Sequence, residues 1–245
     1  MTDGDFHSLN PRDVVVPIFA AQPNGRAGPF LGTGAVVGDG SILLTANHVI
    51  SAWEGSLGIL PMSDLSRPPY PIALIDREPQ HDLALLRITE YRPPRPLKLE
   101  FDRSALRENT NLMTYEYGTT RREGNRIMLN PATRMGHMTR RLGRGDGLEQ
   151  IGVEEAIELS FPALRGASGA PVMINEPTMY SLLGKESLGV VAVVIANAAY
   201  HLAPAQIEEV INADNTSYGE TRFMLPQGLA VSVDHIRDKY ELALS

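Results

Sequence analysis

Apolar residues in this chain fall in short runs or alternate with polar ones, and Gly, Pro, Asn and Asp punctuate them. That pattern predicts strands rather than helices. A first set covers residues 14–19, 34–37, 41–45, 70–76 and 83–88. Gly38-Asp39-Gly40 separates two of these runs and reads as a hairpin turn. Pro93-Pro94-Arg95-Pro96 reads as an extended crossover. A second set covers residues 112–117, 126–129, 154–159, 170–174 and 188–195. Residues 190–195 are apolar throughout, which predicts burial on both faces. Helical spacing is sparse, and residues 205–212 and 233–244 are its best candidates. In the second of these, Val233, Ile236, Tyr240 and Leu244 share one side and Asp234 lies near the start. The chain has no internal repeat.

Length and composition narrow this picture. The 245 residues suit one all-β unit of two small barrels, or two compact domains. Hydrophobic content of 43% and charged content of 21% are ordinary for a globular chain. No apolar run reaches the ~18 residues that span a bilayer, so no membrane partner is expected. Residues Met1 to His7 lack a basic patch followed by an apolar core, so no secretory signal is expected. Cysteine is absent, which excludes disulfides, zinc–thiolate sites and a cysteine nucleophile. Together these features set the expectation of a cytoplasmic protein. A net charge of −7 argues against a nucleic-acid partner.

The candidate chemistry lies in three segments. They are Leu44-Thr45-Ala46-Asn47-His48-Val49, His81-Asp82-Leu83-Ala84-Leu85-Leu86 and Gly166-Ala167-Ser168-Gly169-Ala170-Pro171. A hydroxyl is a poor nucleophile at neutral pH. It needs a base to take its proton, and the base needs a carboxylate to fix its tautomer. The chain order His, Asp, Ser is one of the known orders of such a triad. Taken singly, each residue has a plainer reading. Ser168 suits a Gly-rich turn, His48 a partly buried hydrogen-bonded site, and Asp82 a strand start. All three together, each in a matching context, favour catalysis.

At these residues the chain resembles the trypsin-like (chymotrypsin-fold) serine proteases, and within them the bacterial high-temperature-requirement branch. Gly32-Thr33-Gly34-Ala35-Val36-Val37, the His48 segment, Asp82-Leu83-Ala84-Leu85-Leu86 and the Ser168 motif follow the family pattern in order. Gly228-Leu229-Ala230-Val231-Ser232-Val233-Asp234 resembles the strand before the family's last helix. The resemblance implies an all-β fold of two six-stranded antiparallel β-barrels with a C-terminal α-helix and the active site in the seam. Residues 1–95 would form the first barrel with His48 and Asp82. Residues 96–245 would form the second with Ser168 and the helix. It also implies that Ser168 is the nucleophile, His48 the base and Asp82 the orienting carboxylate. The amides of Gly166 and Ser168 would form the oxyanion hole.

The same resemblance places the specificity position at Pro162, beside Ala163, with Ala192 and Val193 as a second pocket wall. No carboxylate stands at Pro162, so cleavage after Lys or Arg is not expected, unless Glu154, Glu155 or Glu158 reaches the pocket. Ala167 replaces the acid that zymogen-activated relatives carry, so activation by an N-terminal cut is not expected. No metal or cofactor is implied. The partner would be a protein or peptide substrate, with regulation by a protein partner or by loop order. The alternatives are a catalytically silent protease fold used as a binding module, and an esterase-like hydrolase. The latter lacks a Gly-x-Ser-x-Gly elbow. His81 is expected to point to the surface from a strand. His7, His137, His201 and His235 show no metal-ligand spacing. Arg121, Arg122, Arg126, Arg134, Arg140, Arg141 and Arg144, opposed by Glu123, read as a solvated loop face or a docking loop.

Overall fold

Strand β1 (Val15–Ala21) follows directly from a four-residue helix, α1 (Pro11–Val14), whose start is capped by the Asn10 side chain. The computed structural model describes residues 10–102, 104, 106–124, 126–175, 189–212 and 215–245, with the side chains of 199–225 excepted. The first six strands are β1, β2 (Ala27–Val37), β3 (Ile42–Ala46), β4 (Leu57–Ile59), β5 (Tyr70–Glu78) and β6 (Leu83–Ile88). They close into an antiparallel barrel in the order β1-β2-β3-β6-β5-β4. All five residues of β3 are buried, because one face fills the barrel and the other lies beneath the second half of the molecule. The turn at Gly38-Asp39-Gly40 joins β2 to β3, with the Asp39 carboxylate accepting the Ser41 amide at 2.8 Å. The proline-rich crossover does not hang free. Leu97 donates to Val36 O at 2.9 Å and accepts from the Gly38 amide at 3.0 Å.

The second half begins with the short β7 (Lys98–Leu99). Strands β8 (Asn111–Glu116), β11 (Ala132–Leu142), β12 (Ala156–Leu159), β13 (Pro171–Ile174), β14 (Gly189–Asn212) and β15 (Asn215–Ser232) form its barrel. Their order is β13-β8-β11-β12-β15-β14, and β14 returns to β13 through Pro171↔Val193. A small hairpin, β9 (Arg121–Glu123) and β10 (Arg126–Met128), stands apart from the barrel sheet. The molecule is therefore two closed six-stranded antiparallel barrels.

Two expected helices change. Residues 205–212 continue β14 and pair with β15 as far as Asn212↔Asn215. The segment Ala-Gln-Ile-Glu-Glu-Val-Ile-Asn has helical composition, but a Thr- and Tyr-containing partner strand supplies a ladder that overrides that weak preference. Residues 233–244 split into a 3₁₀ turn (Val233–Ile236), capped by Ser232, and the terminal α-helix Arg237–Leu244. Tyr240 of that helix is buried against Gly38, where an added Cβ would lie 2.5 Å from the Tyr240 hydroxyl.

One ion pair crosses the β8–β11 ladder inside the second half. Arg134 Nε lies 2.5 Å from Glu116 Oε1, and Glu116 is 1% exposed. Burial pushes the Glu116 carboxyl above its ordinary range, and Arg134 opposes that shift. Arg134→Ala is expected to cost about 2 kcal/mol near neutral pH, less than a fully buried broken pair because water reaches the arginine. A raised folded-state value means that the native protein binds more protons than the unfolded chain in that window. The stability loss therefore grows as pH rises through it and shrinks in acid. Urea melts of the variant at about pH 4.5 and about pH 8 check the sign.

Candidate active site

The β3–β6 ladder brings His48 and Asp82 together. Its register pairs Ala46 with Leu83, so the residues just past that pair meet although 34 positions separate them. The short helix α2 (Asn47–Ser51) starts at this point. Its leading amides need acceptors, and Ala46 at the N-cap offers no side chain for the task. Asp82 supplies both acceptors. Its Oδ1 accepts the His48 amide at 2.8 Å, and its backbone carbonyl accepts the Asn47 amide at 2.8 Å. The second carboxylate oxygen lies 2.5 Å from His48 Nδ1, which fixes the proton on Nδ1 and leaves Nε2 as the free basic atom. Asp82 itself adopts φ 53°, ψ 39°, a left-handed conformation that Asp tolerates, at the end of a 3₁₀ turn (Pro79–His81). The His48 side chain is 47% exposed and that of Asp82 15%, so the imidazole faces solvent while the carboxylate is shielded.

The loop carrying Ser168 is pinned to the first barrel by a buried threonine. Thr33 N donates to Ser168 O at 2.9 Å, and Thr33 Oγ1 donates to Gly166 O at 2.8 Å. Thr45 Oγ1, one residue before Ala46, donates to Thr33 O at 2.7 Å. Gly32 allows this approach, since a Cβ there would lie 2.9 Å from Ser168 O and 2.8 Å from a methyl of Val49. On the other side the loop is tied to β14, with Gly169 N donating to Val194 O at 2.8 Å. Gly166 has φ +98° and Gly169 φ +85°, both in the region that favours glycine. Among the described residues the amides of Gly166 and Ser168 have no acceptor. Ser168 Oγ donates to Ile195 O at 3.4 Å rather than to His48.

Ile195 joins the two halves of the site. It also lines, with His48, Asp82, Pro79, Ile151 and Ala196, an open cleft of about 270 Å³. Pro162, Ala163, Ala192 and Val193 do not line this cleft. Pro162 is half-buried, and Ala163 is 7% exposed. Ala192 and Val193 are buried and pair with Val172 and Pro171 of β13, while Ile195, 4% exposed, and the half-buried Ala196 farther along β14 line the cleft. Asn197 holds the loop in place by donating to Ala163 O and accepting the Ala163 amide at 2.7 Å. The three glutamates near this region are engaged elsewhere. Glu154 pairs with Arg144 at 3.0 Å, Glu158 with Arg140 at 3.2 Å, and Glu155 with His235. Ala167 is buried in an apolar cluster, where a carboxylate would have no partner.

His81 corrects the sequence expectation. It lies in the Pro79–His81 turn, not on a strand, and only 15% of its side chain is exposed. Its ring stacks on His235 at 3.6 Å and 9°, packing the Asp82 turn against the C-terminal segment. His137 is exposed, while His7 and the His201 side chain lie outside the described residues. The arginine-rich stretch is not one loop face. It is divided between β9, β10, β11 and the turn beyond, and Arg121, Arg134, Arg140 and Arg144 each pair with a glutamate.

The positioning roles of Thr33 and Asn197 were not legible in the sequence. The only local sign of the last was a lone amide ending the apolar run from 190. Among the described residues no three His, Asp or Glu side chains converge as metal ligands, and no helix is long and apolar enough to cross a membrane.

The fold is shared with solved proteases of low sequence identity. The protease domain of MamO from Magnetospirillum magneticum is 15% identical, with a TM-score of 0.53 over 96% of this chain and 98% of that one. The active form of the Rv3671c protease from M. tuberculosis is 18% identical, with a TM-score of 0.53 over 93% of this chain and 79% of that one. The HtrA-type protease AlgW is 14% identical, with a TM-score of 0.54 over 90% of this chain and 61% of that one. No curated protein matches in sequence. The model of the trypsin-like peptidase domain matches residues 32–177, more than half of the chain and a span that holds His48, Asp82 and Ser168. By that match, the chain belongs to the trypsin-like peptidase domain family.

Proposed function

We propose that the protein is a serine endopeptidase that hydrolyses peptide bonds through an acyl-enzyme. The observation that carries this reading is the His48–Asp82 pair at 2.5 Å beside a serine loop held by Thr33 against the same barrel. Ser168 Oγ attacks the scissile carbonyl carbon as His48 Nε2 takes its proton. The imidazolium is stabilised by Asp82 through Nδ1–H. The oxyanion that forms accepts hydrogen bonds from the amides of Gly166 and Ser168, and the positive φ of Gly166 supports this reading. His48 then gives its proton to the leaving amine, and water repeats the sequence to release the acid and regenerate Ser168. For the first step, Ser168 Oγ rotates about its Cα–Cβ bond away from Ile195 O.

That same Ser168–Ile195 contact favours the second reading, a silent binding module. A fluorophosphonate separates the two. Covalent labelling of the wild-type protein, absent in Ser168→Ala, supports the peptidase. Absence of label from a folded wild-type protein rejects it.

Cleavage is expected after small or apolar residues. No carboxylate stands at Pro162 or Ala163, and Glu154, Glu155 and Glu158 are paired with Arg144, His235 and Arg140 respectively. A cation buried there without a partner loses several kcal/mol. A peptide-library profile checks this, and dominant cleavage after Lys or Arg overturns it.

A further inference from the structure

A groove larger than the His48 cleft, of about 490 Å³, is lined by Gly166 and shares no lining residue with that cleft. Its apolar floor includes Phe30 and Leu31 of β2 and Ile127 of β10. Its rim carries three arginines, Arg121, Arg122 and Arg165. Their charges are not equally available. Arg121 pairs with Glu123 at 2.7 Å. Arg122 Nε donates to Gly124 O at 3.1 Å, which leaves its terminal nitrogens unused. Arg165 is exposed and has no hydrogen-bond or ion-pair partner among the described residues. The groove is thus a net cationic site on a chain of net charge −7.

We infer that this groove receives the substrate segment following the scissile bond and selects acidic side chains there. The inference rests on the peptidase reading, in which Gly166 N binds the oxyanion. Gly166 also lines the groove, so the groove begins at the reacting carbonyl. The family resemblance assigns the residue before the scissile bond to Pro162, Ala163 and β14, none of which lines this groove. The chain leaving the reacting centre therefore runs past Arg165, the neighbour of Gly166. A guanidinium presents a planar fork that matches a carboxylate, and two unsaturated forks above an apolar floor favour Asp or Glu over Ala and repel Lys. Glu123 is the acid nearest in the hairpin, and its pairing with Arg121 removes it as a competitor for Arg122 and Arg165.

The test is cleavage-site mapping by mass spectrometry on a proteome-derived peptide library. Asp and Glu are expected to be enriched about threefold to tenfold at the first three positions after the cut, with the enrichment shrinking at high salt. In an Arg122→Gln/Arg165→Gln variant the enrichment falls toward unity, and Arg165→Glu shifts it toward Lys. Both sites are exposed, and a thermal melt verifies the fold of each variant. Cleavage without acidic enrichment after the cut, or enrichment that survives the double variant, overturns the inference while leaving the peptidase reading intact. A wild-type protein that neither takes the fluorophosphonate nor cleaves rejects the peptidase reading instead. The groove is then tested by fluorescence anisotropy on Ser168→Ala protein with labelled Ala-Glu-Ala-Glu-Ala and its Lys counterpart. Preference for the Glu peptide that is lost in the arginine variant supports the groove, and equal binding overturns it.

Discussion

Ser168→Ala is expected to lower kcat by about 10⁴ to 10⁶ and to leave the melting curve nearly unchanged. The two halves of that statement come from different atoms. The backbone of residue 168 holds the loop, through Ser168 O and the Thr33 amide at 2.9 Å, and alanine keeps that bond. The side chain contributes only a 3.4 Å bond to Ile195 O, so its removal alters stability by less than about 0.5 kcal/mol. His48→Ala should cost a similar factor in kcat, because it removes the group that takes the Ser168 proton, and it should keep the fold, because the amide of residue 48 still reaches Asp82 Oδ1. Asp82→Ala differs. It removes the carboxylate that orients the imidazole and also the acceptor that caps α2, so a loss of about 1 kcal/mol accompanies the loss of activity. Peptide hydrolysis and urea melts of the three variants test the pattern. Near-normal turnover by folded Ser168→Ala protein would overturn the assignment of the nucleophile.

What the sequence revealed, and what it hid, follows from how local each feature is. The β3–β6 pair was readable because Ile42 to Ala46 and Leu83 to Ile88 are dense apolar runs ending at His48 and Asp82. β4 was missed because three residues carry no period. β11 was missed because its exposed arginines break the pattern, leaving only Met138 and Leu142 buried along eleven residues. An apolar run does not disclose its register either: Ala192 and Val193 pair with β13, while Ile195 and Ala196 line the cleft beside His48. The staple at Thr33 was hidden too. A threonine in a Gly-Thr-Gly segment gains its role only from a loop 133 residues away.

Gly169→Ala is expected to disrupt the site more broadly than any triad variant, with a stability loss of about 2–5 kcal/mol on top of the loss of activity. Two independent penalties add. Residue 169 has φ +85°, a conformation that costs an L-residue with a side chain about 1–2 kcal/mol. An added methyl would also press on Thr33 O and Thr45 Oγ1, and it would stand 3.1 Å from Thr33 C. These neighbours cannot step aside. Thr33 and Thr45 are buried in adjoining strands, and the bond between them is part of the staple that positions Gly166 and Ser168. Overpacking of this kind costs about 1–3 kcal/mol. The loop relieves the clash only by moving off β2, which separates Ser168 from His48. Gly25 provides the control, since it has φ +74° with open space around its Cβ position. Gly25→Ala should show the backbone penalty alone and retain hydrolysis. Urea melts with parallel activity assays compare the two variants, and equal losses of stability would refute the steric part of the argument.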